Sequence, residues 1–295
     1  MSVSVERGPS SAAPLVACDE VAWVDEGTAV ATKHIVPTDP YLQGHYPDFT
    51  IYPGVFTIET VFQGATALLP QSPPLEIRSI ESVRFQAPLL PGDTSTATLR
   101  MRPAAGGATR IVATCERADG SACAEVRLTV GPREAYRPPG VLSHGELKSL
   151  LPHRNPMLHV DRVDELLPGE RIVAVKAVSG SEACYQGLSS AIAPEGYRYP
   201  VPLIVEGLGQ AGGVLWLNSL TRDDVAGKKL IFGSARGLEV LGAAYPGDVL
   251  RHVVQASALR KESAIMTGEV WVEDRLIIRV QTILALLRAE DSLAL

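Results

Sequence analysis

Residues 58–69 read IETVFQGATALL, and residues 205–217 read VEGLGQAGGVLWL. Each stretch carries a glutamate, a glutamine four positions on, and then small residues, and such self-similarity marks an internal repeat. In and just before the first stretch, Val55, Ile58, Phe62, Ala65 and Leu69 recur at helical spacing. Both stretches are therefore predicted as helices too apolar to lie on a surface. Pro53 precedes the first helix, where a missing amide hydrogen costs nothing. Glu59 and Gln63, at i and i+4, share one face of it.

The repeat continues outward. Pro91-Gly92-Asp93 is answered by Pro246-Gly247-Asp248, and each turn opens a strand-rich tail. TSTATLRM and RIVATCERADGSACAEVRLTV follow the first turn, and LRHVVQASAL and AIMTGEVWVEDRLIIRVQTILALL the second. Their alternation predicts antiparallel hairpins. One buried helix with five or six strands per half makes an α+β fold, and two such halves can join sheets edge to edge, leaving fewer bare edges. The Pro/Gly-rich segment GPREAYRPPG divides the 295 residues into a first half, 1–130, a linker, 131–140, and a second half, 141–295. The second half opens with SHGELKSLLPHRNPMLHVDRVDEL, in which Ser143 and Glu146 form a capping box, and the first half has no clear counterpart.

Hydrophobic residues make up 46% and charged residues 20% of the chain, which excludes a disordered polypeptide. With a net charge of −6 and no basic stripe, nucleic acid is not an expected partner. There is no signal-peptide pattern and no apolar run of membrane-spanning length, so a soluble, cytoplasmic protein is expected. Cys18, Cys115, Cys123 and Cys184 lack metal-ligand spacing, and neither a metal nor a cofactor is expected. If Asp119 and Gly120 form a two-residue turn, Cys115 lies opposite Ala124 and Cys123 opposite Glu116, which puts the two thiols on opposite faces without a disulfide.

The chemistry concentrates in GHYPDFTIYPGVFTIE, residues 44–59. His45 stands in a Pro/Gly-rich loop leading into the helix, and a histidine can accept a proton near neutral pH. A carboxylic acid on an apolar helix can return one, so the pair suits elimination of water. Gly54 leaves a backbone amide at the positive end of the helix, where the oxygen of a carbonyl can approach. Charge that builds on that oxygen would be stabilised there.

This loop and helix resemble the active-site motif of the bacterial β-hydroxyacyl-acyl-carrier-protein dehydratases, His-Phe-Pro-Gly-x-Pro-x-Met-Pro-Gly-Val-x-x-x-Glu. His45, Pro47, Pro53, Gly54, Val55 and Glu59 match, while Tyr46, Asp48, Thr50 and Tyr52 depart. In the second half, LLPHRNPMLHVDRV is similar to the family's opening Leu-Leu-Pro-His-Arg-x-Pro-Phe-Leu-Leu-Val-Asp-Arg-Val. Its active-site loop, however, has Leu188 in place of the histidine, Val201 in place of the glycine, and four extra residues.

The resemblance implies a double hot-dog fold, pseudo-dimeric within one chain or in a higher homo-oligomer, acting on a thioester of acyl carrier protein or coenzyme A in fatty acid or polyketide biosynthesis. Family members draw the histidine and the acid from different subunits, which implies that His45 works with Glu206 while Glu59 faces Leu188. It also implies that the Ile51 carbonyl orients His45 and that Gln210 holds Glu206 or a water. His153, His159, Trp216 and Trp271 are read as structural, with the tryptophans also placed to shorten an acyl tunnel. Two rival functions stay open: a hot-dog acyl-thioesterase, which needs no histidine here, and a non-catalytic acyl-binding or partner subunit.

Overall fold

The structure, a computed structural model, describes residues 2–4, 12–39, 41–46, 48–69, 73–189 and 191–289. It divides into two units, Met1–Ala135 and Tyr136–Leu295. The first contains strands β1 (Ser2–Ser4), β2 (Glu20–Asp25) and β3 (Thr28–His34), helices α1 (Leu42–His45) and α2 (Phe56–Leu68), and strands β4 (Leu75–Phe85), β5 (Thr94–Pro103), β6 (Thr109–Arg117) and β7 (Ala122–Pro132). The second contains helix α3 (His144–Leu150), strands β8 (Arg162–Leu167) and β9 (Arg171–Ala177), helices α4 (Val201–Leu217) and α5 (Arg222–Val225), and strands β10 (Lys228–Val240), β11 (Val249–Leu259), β12 (Ser263–Val272) and β13 (Arg275–Ala289).

All strand pairs are antiparallel, in the order β1-β2-β3-β5-β6-β7-β4 and β8-β9-β11-β12-β13-β10. Apart from β1 the two sheets share one topology, and each wraps a single long helix, as in the hot-dog fold. Gly131 and Pro132, at the head of the expected linker, instead extend β7 by pairing with Glu76 and Leu75.

Close seating of the helices requires small residues. A Cβ on Gly64 would lie 2.7 Å from the Ala31 side chain on β3. One on Gly212 would meet Met266, and one on Gly268 would meet Leu208. The most buried side of α2 consists of Thr57, Thr60, Val61, Gly64 and Ala65, one position round from the apolar stripe predicted by spacing. Ile58 and Phe62 are half-buried and Val55, outside the helix, is exposed. Helix α4 buries ten of its residues, and Trp216 lies fully buried at its end with its indole N–H donating to the Arg260 carbonyl at 2.8 Å. Trp271 is half-buried on β12.

A buried lysine ties each sheet to its loop. Lys33 lies 3.6 Å from Asp19 and 3.5 Å from Asp39, and Lys176 occupies the same place between Asp161 and Glu182. The capping box of Ser143 and Glu146 is formed at the start of α3. The first half does have a counterpart to the rest of that leading segment, because residues 15–18 reach the buried helix as residues 157–159 do.

The β6–β7 connection departs from the expected two-residue turn. It spans residues 118–121, with Gly120 at φ 80° and Asp119 accepting from the amide and hydroxyl of Ser121. Cys115 pairs with Ala124 as expected, but Glu116 pairs with Ala122, and the resulting bulge turns Cys123 inward. Both thiols are therefore buried and free, and burial pushes the Cys115 thiol up to about 12 and raises that of Cys123. Among the described residues no helix is long and apolar enough to cross a membrane, and no cluster of ligating side chains could hold a metal.

His252, on β11, is fully buried beside α4 with no partner for either ring nitrogen among the described residues. Burial holds it neutral, pushed down to about 3, and His159 is lowered for the same reason. The unfolded chain therefore binds protons that the folded one does not, so stability present above pH 6.5 is lost as the pH falls below about 6.5, with His252 contributing to that loss down to about 3. Urea unfolding at pH 7.5 and 5.5 should show this loss, and His252→Ala should make the dependence shallower.

Candidate active site

His45 ends the short helix α1 and is exposed, with its Nδ1 lying 3.0 Å from the Ile51 carbonyl. A carbonyl only accepts, so Nδ1 carries the proton in the neutral ring and Nε2 is left as the basic nitrogen. The Tyr46 ring packs edge-on against the imidazole at 4.6 Å. His45, Ile51 and Gly54 line one cleft of about 380 Å³, walled by Phe85, Leu89 and Cys123. Gly54 precedes α2 by two residues, and a Cβ there would lie 3.1–3.3 Å from the Phe85 ring. Glu59 is not among the residues lining this cleft. Pro47, the remaining motif proline, lies outside the described residues.

Matching hydrogen bonds align the second half with the first. The amides of His34 and Ala177 donate to Asp19 and Asp161, and those of Tyr52 and Tyr199 to the carbonyls of Leu89 and Ala244. These bonds put Leu188 at the position of His45, and Val201, the first residue of α4, at that of Gly54. The four extra residues between them form a turn of 3-10 helix, Pro194–Tyr197. The second loop therefore offers neither an imidazole nor a glycine amide.

The acids are built alike in both halves. Gln63 Nε2 donates to Glu59 Oε1 at 2.7 Å and to the Leu15 carbonyl at 2.9 Å, while its Oε1 accepts from the amides of Ala17 and Cys18. Gln210 Nε2 donates to Glu206 Oε1 at 2.9 Å and to the Met157 carbonyl at 2.7 Å, and its Oε1 accepts from the His159 amide at 2.8 Å. Each glutamine thus fixes its acid and pins the helix to the chain before the sheet. Glu206 has one neighbour that sequence reasoning assigned to structure alone: His153 Nε2 lies 3.3 Å from Glu206 Oε1. The 52 residues between them carry no spacing signal. His159 does fit its structural reading, bonding the Tyr199 hydroxyl at 3.1 Å inside the core. His45 belongs to the first unit and Glu206 to the second.

Residues 22–127 match the ApeI-like family, described as ApeI dehydratase, and residues 151–281 match the FabA-like domain family. The 3-hydroxyacyl-[acyl-carrier-protein] dehydratase FabZ of Symbiobacterium thermophilum is 38% identical over 127 residues, which is 43% of this chain and 84% of that protein. The FabZ of Ruminiclostridium cellulolyticum is 41% identical over 110 residues, 37% of this chain and 72% of that protein. The chain belongs to the family of the 3-hydroxyacyl-[acyl-carrier-protein] dehydratases FabZ. Among solved structures, the dehydratase heterocomplex ApeI:P of Xenorhabdus doucetiae is similar at 17% identity, covering 54% of this chain and 96% of that one with a TM-score of 0.43. The dehydratase domain of the CurJ module of the curacin polyketide synthase covers 96% of this chain and 99% of its own at 10% identity, with a TM-score of 0.40.

In this dehydratase-family chain each glutamine clasp is a stability element as well as a support for its acid. Gln210→Leu strands the Met157 carbonyl and the His159 amide, and buried groups left unpaired cost about 1–3 kcal/mol each. A loss of about 2–4 kcal/mol is expected in the second half, read as a lower urea midpoint at unchanged slope, with a comparable loss in the first half for Gln63→Leu.

Proposed function

We propose that the chain dehydrates a 3-hydroxyacyl thioester, carried on acyl carrier protein or coenzyme A, to the trans-2-enoyl thioester, with His45, the Gly54 amide and Glu206 serving one reaction. The observation that carries this reading is the anchoring of His45 Nδ1 by the Ile51 carbonyl in a cleft shared with Gly54. His45 Nε2 removes a C2 proton, and the electron pair released forms the C2–C3 double bond as the C3–O bond breaks. The Glu206 carboxyl protonates the departing hydroxyl, which leaves as water. The Gly54 N–H stabilises negative charge on the thioester oxygen while C2 loses its proton.

Glu206 rather than Glu59 is assigned as the acid because the family resemblance pairs a histidine with the acid of the other half, and Glu59 lies in the same half as His45. The half that holds Glu206 has Leu188 in place of a base. Neither half then carries a complete set, and the protein acts as the whole chain, without a cofactor.

The test is to incubate the full chain with a 3-hydroxyacyl thioester of either carrier and follow the loss of one water by mass spectrometry. Release of free acid without enoyl thioester would establish a thioesterase instead. His45→Ala and Glu206→Gln should each lower kcat by about 100 to 10,000-fold. Gly54→Val, which copies the second half and crowds the amide with a side chain against Phe85, should cost about 100 to 1000-fold if the thioester oxygen can no longer reach that amide. Glu59→Gln should leave turnover within about threefold, as expected for an acid outside the reaction. Full loss on Glu59→Gln with turnover kept on Glu206→Gln would reverse the assignment.

A further inference from the structure

We propose that His153 is a positioning residue for Glu206, fixing which carboxyl oxygen carries the proton. The inference rests on the reading of Glu206 as the acid. His153 Nε2 lies 3.3 Å from Glu206 Oε1, the same oxygen that accepts from Gln210 at 2.9 Å. The other ring nitrogen, Nδ1, is buried with no hydrogen-bond partner among the described residues. A buried donor without a partner costs more than a buried acceptor without one, so the neutral ring keeps its proton off Nδ1 and on Nε2, aimed at the carboxyl group. Oε1 is thereby bonded by Gln210 and faced by the His153 N–H, and Oε2 is the oxygen left to hold the proton and meet a substrate hydroxyl.

The surroundings support this use. His153, Glu206 and Gln210 share a niche of about 40 Å³ whose other walls include Leu230, Phe232 and Ile283. That space exceeds the roughly 10–15 Å³ a water needs, so it suits a departing hydroxyl. Its apolar side strengthens the hydrogen bonds within it. The loop carrying His153 is braced from beside it, since Arg154 donates to the carbonyls of Leu151 and His153 at 2.9 and 2.7 Å. Gln63 lies between Leu15 and Glu59 as Gln210 lies between Met157 and Glu206, and at that alignment the counterpart of His153 is Ser11, which lies outside the described residues. In the sequence, then, only the acid assigned to the reaction has a histidine at this place.

The experiment compares His153→Phe, which keeps a ring and removes the donor, with His153→Gln, which restores an N–H, in the full chain. His153→Phe should lower kcat about 10 to 100-fold, the range for residues that orient a reacting group, with KM changed less than about twofold. His153→Gln should recover most of that loss, and His153→Phe should cost nothing further in a Glu206→Gln background. Nitrogen NMR of the labelled imidazole should also show the His153 Nε2 signal moving between wild type and Glu206→Gln. Full turnover in His153→Phe, with Glu206→Gln inactive, overturns the inference and leaves the acid assignment standing. Full turnover in Glu206→Gln overturns that assignment and this inference with it. An unmoved His153 signal overturns the inference whatever the activities.

Discussion

The constraint on which both halves depend is a glutamine on the polar side of a helix that is otherwise buried. Sheet burial stabilises helices as apolar as α2 and α4, but a carboxamide in that position needs partners for both of its ends. Gln63 and Gln210 find them in the chain just before the sheet, binding backbone carbonyls and amides, and their remaining donor hydrogen bond goes to a glutamate one turn back. A single side chain thus seats the helix, fixes the path of the leading segment and sets the orientation of an acid. The buried lysines add a second tie, from strand to loop, so the segment that presents His45 or Leu188 leaves the sheet from a fixed point in each half.

On this shared frame the interiors have diverged in compensating pairs. Around the first helix stand Ala17, Ala97 and Thr60, while the same positions in the second half hold His159, His252 and Gly207. The His252 ring takes up the volume that the smaller helix residue frees: a Cβ on Gly207 would lie 2.9 Å from that ring, and as close to the backbone carbonyl of His159. Near the loop the exchange runs the other way. Gly54 lies under Phe85, and the equivalent positions hold Val201 and Val240, a larger helix-start residue with a smaller strand residue. Packing at crystal-like density permits such swaps only when both members change, which explains how one loop lost its imidazole and its glycine with the sheet order intact.

Much of this was legible in the sequence because it was written twice. The Glu-x-x-x-Gln helices, the Pro-Gly-Asp turns and the alternating tails each appear in both halves, and repetition separates a fold signal from coincidence. The anchoring of His45 by Ile51 came from the family resemblance. What stayed hidden had a tertiary cause. The inward turn of Cys123 depends on a bulge that strict alternation cannot express. Lys33 and Lys176 look like ordinary strand-end charges until their carboxylates, six residues after them in the loop and fourteen or fifteen before them in the chain, close on them. The face that α2 buries is decided by where Gly64 permits contact with β3, and this moved the stripe by one position. His153 escaped notice because its motif reads as a structural lead-in, and nothing local shows that the loop returns to the helix.

The asymmetry between the two glutamates then acquires a physical reason. Both are held by a glutamine, so that clasp cannot distinguish a working acid from a leftover one. The difference lies in what else surrounds each carboxyl. Glu206 has the His153 imidazole 3.3 Å from the same oxygen and a small niche with an apolar wall, in the half whose loop offers no base. Glu59 has its glutamine, in the half that holds His45 and Gly54. With Glu206 as the acid, as proposed, a half without a base has no need for a loop glycine, but it does need its acid oriented and its leaving-group space open. On that assignment His153, Gln210 and the niche serve the acid, while the imidazole and the loop glycine that this half lacks would serve proton removal.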